Sequence, residues 1–228
     1  DFGNFDLFMF LHDYLLQFKE QEFCCNPNYS DLNQYMKRCV SRGYFDIIPK
    51  LLKEGATADT LLSLFSKANN EIGIEYMLDF SYINVNNSYN NKTPLEYCIN
   101  NKNEHASILL LKTDKIDFSH KQNDDNETYI HLSCRYGLSK VVEYLLQKNL
   151  FDINEKTSEG IRPIHLACKS GNFDTVQMIV QEKKKAIKIN GRVTKGEYKG
   201  FTPLHFACLS GNPEIVSLLL ENYKADVN

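Results

Sequence analysis

The chain has no tryptophan, and none of its apolar runs reaches the 18 residues needed to span a bilayer, so no transmembrane segment is expected. Charge of neither sign dominates. There are 29 acidic residues against 26 basic ones, leaving no global field that would draw in nucleic acid or an anionic membrane surface. The motifs GxxxxGK[ST], GxGxxG and HExxH are absent, which removes the common phosphate-cradling and zinc-protease signatures. Asp and Glu are scattered without a pair at acid–base spacing. No leader is recognisable at the N-terminus, and the sequence is read as an excised fragment.

What is present is repetition. TPLEYC begins at Thr93, TYIHLSC at Thr128, RPIHLAC at Arg162 and TPLHFAC at Thr202, starts that lie 35, 34 and 40 residues apart. The last three reach a glycine at the same offset, Gly137, Gly171 and Gly211, and then an apolar pair, Leu145–Leu146, Ile179–Val180 and Leu219–Leu220. A fixed period of this length marks a solenoid rather than one closed core. In the Thr202 unit, Thr202 suits an N-cap and Pro203 the first helical position, where its missing N–H costs nothing. Leu204, Ala207 and Cys208 share a face, Gly211 ends the helix, and Pro213 opens a second helix carried by Ile215, Val216, Leu219 and Leu220. Two such helices cannot stand alone, so they stack.

TPLHFACLSGNPEIVSLLLENYKADVN resembles the whole ankyrin repeat motif, and RPIHLACKSGNFDTVQMIV and TYIHLSCRYGLSKVVEYLL match it well. In the Thr93 unit Glu96 replaces the histidine and Lys102 the glycine. Two more units are read at 31–56 and 60–78. The expected architecture is all-α: an ankyrin-type helix-turn-helix solenoid of five to six repeats with short β-turn tips. Residues 1–30 form an N-terminal capping helix or degenerate repeat, with Phe5, Phe8, Leu11, Leu15 and Phe18 on one face. Residues 31–92 hold degenerate repeats, and 93–228 hold repeats with a basic insertion at 183–199. There Asn190-Gly191 predicts a type I′ turn and a hairpin-like finger between 187–189 and 192–194.

The resemblance implies an interaction scaffold that holds a protein partner in the concave face of the stack, not an enzyme, with no cofactor or metal. The alternative is a regulatory or substrate-docking arm of a larger enzyme or channel. In this family the residues before the TPLH segment and before the helix-ending glycine commonly contact partners. Here they are Tyr89, Asn90 and Lys92; Asp124, Asp125, Glu127, Arg135 and Tyr136; Ser158, Glu159, Ile161, Lys169 and Ser170; and Tyr198, Lys199, Phe201, Leu209 and Ser210. Tyr136, Tyr198 and Phe201 are the expected aromatic anchors. Lys183, Lys184, Lys185, Lys188, Arg192 and Lys195 make the insertion a contact for an acidic or phosphorylated ligand. Nucleic acid is disfavoured, because no aromatics interleave these cations. Asn154 and Asn228 look like asparagines that intracellular hydroxylases modify in this family, and both are expected to hold their loops by hydrogen bonds.

His131, His165 and His205 recur one repeat apart, too far for one zinc ion, whose nitrogens sit about 2 Å from the metal. They are expected to bond to turn backbone in the adjacent unit. Cys134, Cys168 and Cys208 also recur, with Cys39 and Cys98 one place earlier in their units, so they read as small apolar fillers. Seven cysteines cannot all pair, and a reducing, intracellular compartment, cytoplasmic or nuclear, fits them best.

Overall fold

A computed structural model describes residues 61–80, 83–119, 125–148, 151–181 and 187–227. These belong to one compact unit running from Ala58 to Asn228. The expected N-terminal helix, the 31–56 unit, Asp124, Lys183, Lys184, Lys185 and Asn228 lie outside the described residues.

The architecture is an all-α repeat solenoid. Its helices are α1 (Leu61–Lys67), α2 (Glu71–Leu78), α3 (Pro94–Asn100), α4 (Glu104–Leu111), α5 (Tyr129–Tyr136), α6 (Ser139–Lys148), α7 (Pro163–Ser170), α8 (Phe173–Val180), α9 (Pro203–Ser210) and α10 (Pro213–Ser217), the last continued by a π-helical turn, Leu218–Asn222. Odd-numbered helices pack on one another in one row, and even-numbered helices pack in a second. Apolar residues fill the space between rows, among them Leu95, Ile130, Ile164, Val176 and Ile179, all fully buried. Each such side chain contributes about 1.5–3 kcal/mol by leaving water, and each needs the neighbouring unit to be covered.

Local chemistry sets the helix ends. α3, α7 and α9 start with proline at the first position, and α5, α7 and α9 end at Gly137, Gly171 and Gly211 in the left-handed conformation. Gly137 could not be replaced freely, since a Cβ there would also lie 2.9 Å from Asn172 Cβ. The Thr93 unit solves the same problems with other residues. Glu96 closes a capping box with Thr93, and Lys102 takes the left-handed position at φ 58°. Four of the five second helices carry a cap that the repeat pattern did not announce. Asn70, Asn103, Asn172 and Asn212 each accept a backbone N–H of the first turn through the side-chain oxygen.

Two side-chain ladders tie successive units together. The His165 Nδ1 accepts the Arg162 N–H at 3.0 Å, which leaves Nε2 to donate to the Gly191 carbonyl at 2.8 Å. His131 repeats this, taking the Thr128 hydroxyl on Nδ1 at 2.8 Å and reaching the Glu155 carbonyl at 3.2 Å. The expectation of an imidazole bonded to the next unit's turn therefore describes both. His205 lies exposed. Asparagines form the second ladder: Asn86 accepts from the Asp117 N–H at 2.8 Å, Asn154 from Lys188 at 2.9 Å and Asn190 from Asp226 at 3.0 Å. Asn154 thus holds a loop, as expected.

The insertion differs from its expected form. Neither Asn190 nor Gly191 adopts the left-handed backbone that a type I′ turn requires, and the Gly191 N–H closes an ordinary turn onto the Lys188 carbonyl at 2.9 Å. The Asn190 and Gly191 bonds to Asp226 and His165 hold the turn from outside. The return limb pairs elsewhere: Val193 is buried, donates to Phe201 and accepts from Gly200, both at 2.9 Å. Among the described residues no strand forms. The one isolated bridge joins Tyr89 to Lys92 across Asn90 and Asn91, both with positive φ.

Candidate partner-binding face

The named residues fall into two groups along the row of turn tips and odd-numbered helices. In the first, Lys92, Asp125, Glu127, Arg135 and Tyr136 line a pocket of about 300 Å³ together with Glu96 and Asn100. Tyr89 donates to and accepts from Lys92, and its carbonyl takes the Tyr97 hydroxyl at 2.8 Å, which fixes the tip that carries the exposed Asn90. Arg135 forms an ion pair with Glu127. Glu127 is largely buried in the wall of this pocket, and its carboxylate positions the Arg135 guanidinium.

The second group is aromatic. Tyr198 lies 5.6 Å from Phe201 and 5.1 Å from Phe206, centroid to centroid, and Phe201 lies 5.2 Å from His205. The Lys169 ammonium sits 4.3 Å above the Tyr198 ring and 3.1 Å from its hydroxyl. Leu209 is 61% exposed on the same helix as His205 and Phe206. Tyr198 and Phe201 are half-buried.

Other named residues have structural duties. Ser170 and Ser210 donate their hydroxyls to Ala167 and Ala207, at 2.7 and 2.8 Å, closing helix ends. Ser158 is exposed and bonds Asp125 in the previous unit through backbone and side chain. The Glu159 carbonyl receives the N–H groups of Thr194 and Lys195, at 2.8 and 3.0 Å, and so anchors the basic insertion to the neighbouring tip. Ile161 is a correction. The turn closed by Thr157 N–H on Ile161 O, with Gly160 at φ 85°, turns that side chain inward, where it is buried. Lys188, Arg192, Lys195 and Lys199 are exposed.

Burial pushes the thiols of Cys98, Cys134 and Cys168 up, Cys98 to about 12, so none ionises near neutrality. Burial likewise pushes His131 and His165 down to about 4 and keeps them neutral. Among the described residues no group of three His, Cys, Asp or Glu could hold a metal ion, and no helix is long and apolar enough to cross a membrane.

A family model for ankyrin repeats in three copies matches residues 36–122 and 130–228. The chain belongs to the ankyrin repeat family. No curated protein matches it. The ankyrin repeat is a non-catalytic scaffold for protein–protein interaction, and the two groups above are this ankyrin stack's candidate contacts.

Proposed function

We propose that this ankyrin stack holds a protein partner along its turn tips and odd-numbered helices. The observation that carries this reading is the cluster of Lys169, Tyr198, Phe201 and Phe206, with the largely exposed Leu209 on the same helix as Phe206. Apolar anchors of this kind dominate binding energy when a partner covers them. The pocket of Lys92, Asp125, Arg135 and Tyr136 is the second contact, with Tyr89, Asn90, Ser158 and Glu159 along the tips and Asp124 adjoining in sequence. The helices are ordered before binding, so association costs little backbone entropy. The exposed cations of the insertion, Lys188, Arg192, Lys195 and Lys199, favour an acidic or phosphorylated segment of that partner. Free thiols at Cys98, Cys134, Cys168 and Cys208 suit a reducing, intracellular setting.

The test is capture of binding proteins by the intact chain beside Leu209→Asp and Tyr136→Ala variants with unchanged circular dichroism. A partner retained by the wild type, lost by Leu209→Asp and cross-linked to the 198–210 segment supports the reading. Equal retention by all three sinks it.

A further inference from the structure

Arg162 stands where the units at Thr93, Thr128 and Thr202 have threonine, and it is the anomaly of the repeat. The residue is 8% exposed, and its Nε and Nη1 are buried without any hydrogen-bond partner. An arginine cannot lose its proton to escape this, so a buried guanidinium without a counter-ion is strongly disfavoured. Its surroundings raise the positive potential further. Arg162 caps the N-terminus of α7, the positive end of that helix, and its charge lies close enough to disfavour protonation of His165. Gly191 leaves it room, since a Cβ there would come within 2.3 Å of Nη1. Exposed Lys188, Arg192 and Lys195 flank the same turn in sequence. The Glu159 carboxylate lies against Gly196 of the insertion, and Glu197 and Asp226 add exposed carboxylates.

We propose that Arg162 is the core of an oxyanion site that receives a phosphorylated side chain of the protein partner. The proposal rests on, and sharpens, the reading of the basic insertion as a contact for an acidic or phosphorylated segment. A tetrahedral phosphate carries more than one negative charge and several acceptor oxygens, which matches a guanidinium on a turn flanked in sequence by exposed cations better than a single carboxylate does. Each charge-assisted bond it makes relieves a nitrogen that otherwise has none. The helix N-terminus adds a favourable field for the anion. Nε and Nη1 are themselves closed off beneath the turn, so an anion reaches them only as the turn at Gly191 gives way.

The experiment follows thermal unfolding of the intact chain while inorganic phosphate or O-phosphoserine is titrated against chloride at matched ionic strength. Arg162→Thr restores the residue used by the sister units, and Arg162→Gln keeps the size without the charge. A Lys188→Gln/Lys195→Gln/Lys199→Gln variant tests the rim separately. The wild type should show a saturable rise in Tm with both probes, and both Arg162 variants should lose about tenfold or more in affinity. A rise equal in wild type and Arg162 variants but lost in the lysine variant overturns Arg162 as the receptor and leaves the basic-insertion reading standing. No rise beyond chloride overturns both. Binding of inorganic phosphate with exclusion of O-phosphoserine overturns the assignment to a phosphorylated side chain.

Discussion

His165 donates from Nε2 to the carbonyl of Gly191, 2.8 Å away and 26 residues later, while its other nitrogen accepts the Arg162 N–H. One neutral imidazole therefore caps its own helix and fastens the next unit's turn. A second proton would leave Nδ1 with no lone pair for the cap.

That geometry sets a pH dependence. Burial holds His131 and His165 at about 4 in the folded chain, below the ordinary 6.5. Between those values the unfolded chain binds more protons, so stability is full above the unfolded value and falls as pH drops towards the folded one. The loss is on the order of 3 kcal/mol per histidine. Urea midpoints measured from pH 7 to 4 should fall steeply, and His165→Gln should flatten part of that slope. Parallel pH profiles for the two proteins would refute the assignment.

Lys102 occupies a left-handed position that glycine fills in the three following units. Lys102→Gly should stabilise the chain by about 1 kcal/mol by removing the Cβ–backbone conflict. Gly137→Ala should cost more than that, because strain and the approach to Asn172 combine. Calorimetric Tm values of opposite shift are expected. A loss of stability in Lys102→Gly would show that the lysine side chain contributes more than its backbone costs.

Gly191 is not in the left-handed region, so its substitution tests contact alone. Gly191→Ala should destabilise by about 1–3 kcal/mol, because the new methyl meets the Arg162 guanidinium. On an Arg162→Thr background the same change should cost much less, leaving only the Lys188 carbonyl at 3.0 Å as a close contact. A double-mutant cycle by chemical denaturation measures the coupling. Additive effects would mean that the crowding lies elsewhere.

Much of this fold was legible because its rules act within a few residues. Pro163 and Pro203 at helix starts, and Gly171 and Gly211 at helix ends, are local choices that spacing alone reveals. The histidine bonds were also legible, since one residue type at one position in successive units implies one job. What the sequence hid depends on contacts between units. Asn190-Gly191 has turn chemistry, yet Asp226 and His165 hold it from outside and the return limb pairs with Phe201 and Gly200. Glu127 reads as a partner contact, and its pairing with Arg135 shows only in the fold. Ile161 lies beside the tip but faces inward. Arg162 only begins its unit in the sequence, and burial alone shows what it lacks.

The asparagine ladder also has a mechanical consequence. Asn86, Asn154 and Asn190 each clasp the following loop through the same kind of bond, so a pull along the stack meets similar fastenings in series rather than one shared core. Extension should then proceed as a succession of small ruptures, one junction at a time, with the intact units still able to grip whatever they hold.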